Sequence, residues 1–342
     1  MPLSCLVTGG AGFLGGHAVE RLASDKCRFR ITALDNFDPF YDPAIKRRHW
    51  AEILSRAPQD SRPELVELDI RDGERLQRLF EERRFDLLIH FAARAGVRPS
   101  IEDPAGYTDV NVTGTARLYE ACRRYGVRRV VFASSSSVYG DTSPAPFVEN
   151  SSESPADFQL SPYAVSKRAG ELMTYTFCRL YGWRAISLRF FTVYGPWQRP
   201  DLAIHKFTRL ILSGEQVPFF GDGSMMRDHT HVADIMDGLS SAVNWVLGDD
   251  APACEVVNLG RNDPVRLDDL VRRLERACGR KAQLRRLPVP PGDVPVTCAD
   301  LAHARELLGY RPRVSLDDGL ADFVQWYRRN EAPRPIVDTP AG

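Results

Sequence analysis

The first half of the chain alternates short apolar runs with amphipathic segments. Five apolar runs predict buried strands, at residues 3–7, 30–35, 64–69, 85–93 and 128–135. Between them, apolar positions recur at helical spacing, as in "ERLQRLFEER" and "GTARLYEACRRYG". Strands that alternate with helices are typical of βαβ units, so this half predicts a parallel sheet with helices on both faces.

The later chain breaks this rhythm. A further strand is predicted at 185–191, after a long helix that begins near Ser161, and 255–260 is predicted to return to the main sheet. Other segments are irregular or short: a loop running into a helix at 194–207, a strand and turn at 217–228, and an extended segment with four prolines at 287–296.

This pattern predicts an α/β fold, a doubly wound parallel sheet with a smaller C-terminal domain. We expect the first domain to span residues 1–192, with a return near 230–260. The second domain would then comprise residues 193–229 and 261–335.

Composition excludes several classes of partner. The 342 residues include 45 Lys and Arg against 45 Asp and Glu, so no net charge favours nucleic acid or an anionic membrane. We expect no secretory signal and no membrane span. Seven cysteines without a CxxC pair are typical of reduced thiols in a cytoplasmic protein. Cysteines and histidines are not clustered at metal-ligand spacing, so no metal site is predicted.

The stretch "TGGAGFLG" (8–15) predicts a dinucleotide site. Gly9, Gly12 and Gly15 recur every third residue, and with Gly10 the stretch satisfies G-x-G-x-x-G between a strand and a helix. Such a turn lets backbone amides and a helix N-terminus approach a pyrophosphate. Asp35 lies 20 residues beyond Gly15, where a carboxylate can bind the ribose hydroxyls and repel a 2′-phosphate. NAD is therefore predicted over NADP.

A second set of residues predicts a base. Tyr163 and Lys167 in "SPYAVSKRAGE" are four apart, which places both on one face of a helix. A free tyrosine titrates near pH ~10, and a nearby cation favours its phenolate. Beside Lys167 and a positive nicotinamide, Tyr163 can act as a general base near neutrality.

Several motifs in order resemble the extended short-chain dehydrogenase/reductase family, in its sugar-nucleotide epimerase and dehydratase branch. They run from "TGGAGFLG" through "HFAARAGV", "SSSSVYG", "YAVSK", "RFFTVYGP" and "RDHTHVADI" to "PGDVPVTCAD". The resemblance implies a Rossmann-type domain with bound NAD, a smaller domain that binds UDP-sugar, and a homodimer formed through helices of both subunits. It implies this set of cofactor-binding residues: Gly9, Gly12, Phe13, Leu14, Gly15, Asp35, Asn36, Asp69, Ile70, Phe91, Ala92, Ala93, Asn111, Tyr163, Lys167 and Phe190.

Within that branch the serine run favours an epimerase. Related dehydratases carry Thr-Asp-Glu just before "VYG", because elimination needs an acid, and this chain has Ser135, Ser136 and Ser137. Ser135, Tyr163 and Lys167 are the predicted catalytic residues. The segments 34–49 and 189–207 are most similar to UDP-glucuronate 4-epimerases.

The resemblance also implies a set of substrate contacts: Ser135, Ser136, Ser137, Thr192, Arg199, Phe220, Arg227 and Asp293. Arg199 is the predicted partner of a sugar carboxylate, since a guanidinium binds one bidentately. Arg94 and Arg98 are also expected near the nicotinamide end.

The choice of sugar stays open at this stage. UDP-galactose 4-epimerases usually have asparagine at Thr192 and lysine at Ala95, and this chain has neither. However, the loop 140–162 is longer than is typical of the UDP-glucuronate subfamily. The alternatives are a UDP-glucose/UDP-galactose 4-epimerase, an NAD-dependent reductase, and a dinucleotide-binding regulator without catalysis.

Overall fold

The structure is a computed structural model. It describes residues 2–25, 28–141, 143–149, 159–249, 251–289 and 294–331.

A seven-stranded parallel sheet forms the centre of the molecule. Its strands, in chain order, are β1 (Leu3–Thr8), β2 (Phe29–Asp35), β3 (Glu64–Glu67), β4 (Leu87–His90), β5 (Arg129–Ser135), β6 (Arg184–Phe190) and, from the later chain, β10 (Ala253–Leu259). Their order across the sheet is β10-β6-β5-β4-β1-β2-β3. The predicted doubly wound α/β fold is confirmed, and so is the return of the segment near 255–260.

The described residues also form α-helices, several of which cover the two faces of this sheet. In chain order they are α1 (Phe13–Ala23), α2 (Pro43–Arg56), α3 (Gly73–Glu82), α4 (Val97–Glu102), α5 (Pro104–Thr108), α6 (Thr115–Tyr125), α7 (Pro162–Tyr181), α8 (Ala203–Ser213), α9 (Val232–Leu247), α10 (Leu267–Cys278), α11 (Ala302–Leu308) and α12 (Leu316–Asn330). Alternate side chains of β1 show the layering. Cys5 and Val7 belong to the core cluster that contains α1 and α9, whereas Leu6 belongs to the cluster that contains α3 and α6.

Two small sheets lie outside the main one. β7 (Thr192–Tyr194), β9 (Met226–His231) and β11 (Pro264–Arg266) form a three-stranded sheet. β8 (Gln216–Phe220) pairs with β12 (Gln283–Leu287) in the parallel direction. These elements and helices α8, α10 and α12 come from the part of the chain predicted to form the smaller domain, whose exact boundaries stay a prediction.

The strand order reverses between β1 and β4. Chain connections leave β1 toward β2 and β3 on one side, and continue from β4 to β5 and β6 on the other. At such a switch point the loops beyond the carboxyl ends of the strands diverge and leave a crevice, which is the usual ligand site of open α/β sheets. Among the described helices, none combines the length and the apolar character that crossing a membrane requires.

Candidate active site

A cavity of about 460 Å³ lies at this switch point. It collects residues from the ends of β1, β2, β4, β5 and β6 and from the start of α7. Most of the residues predicted from sequence line it: Gly9, Gly12, Phe13, Leu14, Gly15, Asp35, Asn36, Asp69, Ile70, Phe91, Ala92, Ala93, Ser135, Ser136, Ser137, Tyr163, Lys167, Phe190, Thr192 and Arg199.

The glycine turn after β1 is shaped as the sequence predicts. Gly9 has φ +68°, and a Cβ there would stand 2.8 Å from the backbone nitrogen of Ala92. A Cβ at Gly15 would overlap the carbonyl oxygen of Gly9. Gly12 is the N-cap of α1 and has no side chain that could bond to the first N–H groups of the helix. Phe13, Leu14 and Gly15 of the first turn line the cavity, and the N–H groups at the start of a helix can bind a pyrophosphate.

Asp35 lies at the end of β2 with its carboxylate buried. Its Oδ2 accepts a hydrogen bond from the Ala11 N–H at 3.2 Å, and its Oδ1 accepts from Phe37 N–H at 2.8 Å. The ammonium of Lys46, on α2, is 3.1 Å from Oδ1, and both side chains are almost fully buried. The carboxylate predicted to select NAD is thus held by the backbone and paired with a cation.

Asp35→Ala is expected to weaken NAD binding by about 10- to 100-fold, because hydrogen bonds to charged groups contribute about 1.5–3 kcal/mol. Lys46 would lose its carboxylate partner and would then attract a 2′-phosphate. The gap between NAD and NADP affinity should therefore narrow. Titration of cofactor-stripped protein with both dinucleotides measures this.

The Asp35→Ala/Lys46→Ala double variant is the control. It should bind NAD weakly and show no increase in NADP affinity, since the cation of Lys46 is removed as well. An unchanged NAD/NADP affinity ratio in Asp35→Ala would place the ribose away from this carboxylate.

Asp69 and Asn36 form a second polar group at the same end of the cavity. Asn36 Nδ2 donates to Asp69 Oδ2 at 2.9 Å, and Arg71 donates to both carboxylate oxygens at 3.0 and 2.8 Å. Burial alone would raise the pKa of Asp69, but the bonds from Arg71 and Asn36 outweigh it and lower that pKa to about 2. Asp69 is therefore ionised beside the apolar Ile70, and both line the cavity as predicted cofactor-binding residues.

Tyr163 and Lys167 lie one turn apart near the start of α7, on the face turned to the cavity. Ser161 caps this helix through a hydrogen bond from Ala164 N–H at 3.2 Å, and Pro162 occupies its first position. The Lys167 ammonium donates to the Ala133 carbonyl on β5 at 2.8 Å and lies 5.9 Å from the centre of the Tyr163 ring. The predicted pair is therefore in place beside β5.

Burial acts on both groups of this pair. It lowers the pKa of Lys167 to about 8, against a smaller opposing effect of Glu171. It raises the pKa of Tyr163, and a hydrogen bond with Ser135 and the charge of Arg199 oppose that rise. The protein without cofactor thus holds Tyr163 as a neutral phenol, so formation of the phenolate near neutrality needs a further positive charge in the cavity.

The serine run sits on a tight turn after β5. Ser135 ends the strand, and its hydroxyl accepts from the Ser137 N–H at 3.2 Å and bonds to Ser137 Oγ at 3.1 Å. A short 3₁₀-helix, Ser136–Tyr139, follows. The three hydroxyls and Thr192 of β7 line the cavity near Tyr163.

Arg199 reaches the cavity from the loop between β7 and α8. Its Nε and Nη2 donate to the two carboxylate oxygens of Asp201 at 3.0 and 2.9 Å. Its guanidinium carbon lies 5.4 Å from the centre of the Phe40 ring. The predicted cation is therefore present, but a carboxylate of the protein already neutralises part of its charge.

Asn111 is buried behind the cavity, in a π-helical turn at Asp109–Gly114. Its amide accepts from Arg94 N–H at 2.8 Å and donates to the Arg94 carbonyl and to Ser166 Oγ, both at 2.9 Å. It thus joins the loop after β4 to α7. Direct contact with the cofactor stays a prediction for this residue.

Two of the predicted substrate contacts, Phe220 and Arg227, are not among the residues that line this cavity. Arg98 stacks its guanidinium over Phe220, 4.7 Å from the ring centre. Arg227 donates to the carbonyls of Met226 and Pro295, at 2.8 and 3.5 Å. Asp293 lies outside the described residues. Contact of Phe220, Arg227 and Asp293 with the substrate stays a prediction.

The sequence analysis did not predict several residues that line the cavity, among them Asp38, Phe40, Tyr41, Lys46 and Leu202. The burial of Lys46 could have been predicted from the sequence. This residue heads the stripe Lys46, His49, Trp50, Ile53, whose helical spacing is that of a buried face. A lysine in such a stripe is expected to be buried and therefore paired with a carboxylate, but the spacing does not identify that carboxylate.

Known proteins match most of this chain. Residues 5–260 match the model of the NAD dependent epimerase/dehydratase family. A UDP-glucuronate 4-epimerase of Thermodesulfobacterium geofontis is 37% identical over 326 residues, which cover 95% of this chain and 96% of that protein.

Two solved structures are also similar. The UDP-glucuronic acid 4-epimerase of Bacillus cereus, in complex with UDP-glucuronic acid and NAD, gives a TM-score of 0.86 at 31% identity, with 96% of this chain and 99% of that chain covered. The UDP-glucose 4-epimerase of Thermotoga maritima, with UDP-glucose, gives 0.83 at 31% identity and the same coverage.

Proposed function

Because the chain belongs to the NAD-dependent epimerase/dehydratase family, we propose that it is an NAD-dependent 4-epimerase of UDP-sugars that converts UDP-glucuronate to UDP-galacturonate. One observation carries the proposal. Tyr163, Lys167 and Ser135 share a single cavity with the glycine turn after β1 and with the cation of Arg199.

The residues around the glycine turn fit NAD. The turn at Gly9–Gly15 and the N-terminus of α1 would bind its pyrophosphate, and Asp35 its adenosine ribose. When bound, NAD accepts the hydride of the sugar C4 and later returns it, so the sugar passes through a 4-keto form.

Tyr163 takes the proton of the 4-hydroxyl and later returns one. Lys167, fixed by its bond to the Ala133 carbonyl, supplies positive charge near the phenol. Ser135 lines the cavity with Tyr163, and its hydroxyl opposes the rise in the pKa of that tyrosine and so favours the phenolate. The chain thus contributes a placed base and the charge that stabilises its phenolate.

Hydroxyls rather than carboxylates stand at 135–137, and this favours epimerisation over elimination. Loss of a hydroxyl group requires an acid to protonate the leaving oxygen. Among the described residues, the carboxylates that line the cavity are instead Asp35, at the end of β2, and Asp38 and Asp69, in the loops after β2 and β3. Asp35 and Asp69 belong to the predicted cofactor-binding residues, and Asp38 Oδ2 lies 3.7 Å from Arg94 Nε.

The uronate preference rests on Arg199. A sugar carboxylate buried in this cavity needs a cation, since an unpaired buried charge is costly. Arg199 reaches the cavity with a side chain that is only 17% exposed, and the hydroxyls of Ser136, Ser137 and Thr192 can donate further hydrogen bonds.

One observation favours a second function, 4-epimerisation of UDP-glucose. Asp201 already pairs with Arg199, so a neutral sugar meets no uncompensated cation in the cavity. The proposed function therefore requires the substrate carboxylate to share or displace the Asp201 contact.

Incubation of the purified protein with UDP-glucuronate, UDP-glucose or UDP-xylose, followed by NMR of the products, tests the function. We expect UDP-galacturonate as the main product and release of NAD(H) on acid denaturation, because the cofactor is regenerated in each turnover. Faster conversion of UDP-glucose would transfer the assignment to the second function. A net oxidised or reduced product would indicate a dehydrogenase or reductase instead.

We further infer a homodimer formed through α7, in the cytoplasm. The outer face of α7 exposes an apolar stripe, with Val165 and Leu172 52% exposed and Leu180 67% exposed. A second copy of this helix would cover the stripe. The free thiols of the described cysteines suit a reducing compartment.

Leu172→Glu is expected to shift the protein from dimer to monomer, because the carboxylate would be buried without a partner at the interface. Light scattering after size exclusion measures the mass. Leu284→Glu on β12 is the matched control, since Leu284 is also exposed but far along the chain from α7, and it should stay dimeric. A wild-type monomer would contradict the inference.

A further inference from the structure

The loop that carries Arg199 holds a strained residue. Trp197 has φ +63°, in the left-handed region that favours glycine, yet its large side chain is buried at 6% exposure. A non-glycine residue keeps such a conformation only where the surrounding structure imposes it, and such residues cluster at functional sites.

Rings from two distant helices impose it here. The imidazole of His49 on α2 stacks on the Trp197 indole, with ring centres 4.7 Å apart and planes 13° from parallel. Trp326 on α12 packs edge-on against Trp197, with ring centres 5.3 Å apart. Burial lowers the pKa of His49 well below its ordinary value, so the stacked imidazole is neutral.

Helix α1 supports the same loop from the cofactor side. A Cβ at Gly16 would overlap the His49 ring, so only glycine lets His49 reach Trp197. The neighbouring His17 donates from Nε2 to the Pro196 carbonyl at 2.9 Å. This explains the second glycine of "LGGHAV", which the dinucleotide motif does not require.

Trp197 itself does not line the cavity formed by the described residues, whereas Arg199, two positions later, does. We propose that the Gly16–His49–Trp197 stack is a positioning device that holds Arg199 toward the sugar and thereby sets the preference for an acidic over a neutral UDP-hexose. This assignment rests on the proposed function, since it needs a sugar carboxylate as the partner of Arg199.

Two pairs of variants test the device. Gly16→Ala pushes His49 off Trp197, whereas Gly73→Ala is its control, since a Cβ there meets only Arg117 Cδ at 3.7 Å. Trp197→Gly removes the ring and relieves the strained φ, whereas Trp197→Phe keeps a flat ring for His49. Thermal unfolding and retained NAD(H) are measured for each variant.

The readout is the ratio of kcat/KM for UDP-glucuronate to that for UDP-glucose. Gly16→Ala and Trp197→Gly should lower this ratio by about 10- to 100-fold, the loss that a displacement near 1 Å produces. Gly73→Ala and Trp197→Phe should keep the wild-type ratio. In an Arg199→Met background, Trp197→Gly should lower the ratio no further, because the two residues act through one contact.

Three results would overturn the assignment. Equal losses for both sugars would make the stack part of the general scaffold. A full further loss in the Arg199→Met background would separate Trp197 from Arg199. A wild-type protein that leaves UDP-glucuronate unchanged would refute the proposed function itself, and the stack would lose its substrate.

Discussion

Tyr163→Phe is expected to lower kcat by about 10²- to 10⁴-fold while UDP binding stays nearly intact, as for the loss of a general base. Tyr163, at the start of α7, lines the cavity together with Ser135 and Lys167. The Lys167 ammonium lies 5.9 Å from the centre of the Tyr163 ring. The phenylalanine ring preserves the packing. Steady-state kinetics with UDP-glucuronate and calorimetric titration with UDP separate turnover from binding.

Tyr107→Phe is the matched control. Tyr107 packs edge-on against Tyr163, with ring centres 6.3 Å apart, but its hydroxyl donates to the Ala95 carbonyl at 3.0 Å. Its loss should cost far less turnover than that of the Tyr163 hydroxyl. Near wild-type kcat in Tyr163→Phe would remove Tyr163 from the mechanism.

The pH at which Tyr163 ionises should depend on whether the cofactor is bound. Burial raises the pKa of Tyr163 in the protein alone, so this tyrosine ionises only at alkaline pH without cofactor. The charge of a bound oxidised nicotinamide would bring that ionisation toward neutrality.

Arg199→Met should hurt UDP-glucuronate selectively, by about 2 to 5 kcal/mol in kcat/KM, as for truncating one partner of a buried charge pair. Methionine keeps much of the apolar stem that packs near Phe40 but removes the guanidinium. UDP-glucose lacks the carboxylate and should suffer much less. Parallel kcat/KM measurements on both sugars decide this.

Asp201 makes a second variant informative. Asp201→Asn removes the charge that competes for Arg199 while the side-chain size is retained. It should strengthen UDP-glucuronate binding relative to UDP-glucose. Equal losses for both sugars in Arg199→Met would place Arg199 on the diphosphate or in the scaffold, and no loss for either would leave it without a role in the cavity.

The local sequence determined the frame of this protein. Short apolar runs predicted the strands of the parallel sheet because side chains buried on both faces leave no polar alternation. Two further features were predictable from the sequence: the glycine turn at Gly9–Gly15 and the placement of Tyr163 and Lys167 on one helix face. Both features depend on the backbone geometry of a few neighbouring residues, so they can be recognised without knowing how the rest of the chain folds.

Only the tertiary structure decided which side chains complete the site. The Lys46–Asp35 ion pair joins a helix to a strand end, and the Trp197–His49 stack joins residues 148 positions apart. The Arg199–Asp201 pair is local, but only the fold brings Arg199 to the same cavity as Tyr163. Such contacts depend on how the sheet and helices meet, and no periodicity along the chain records the distance between elements that are remote in sequence.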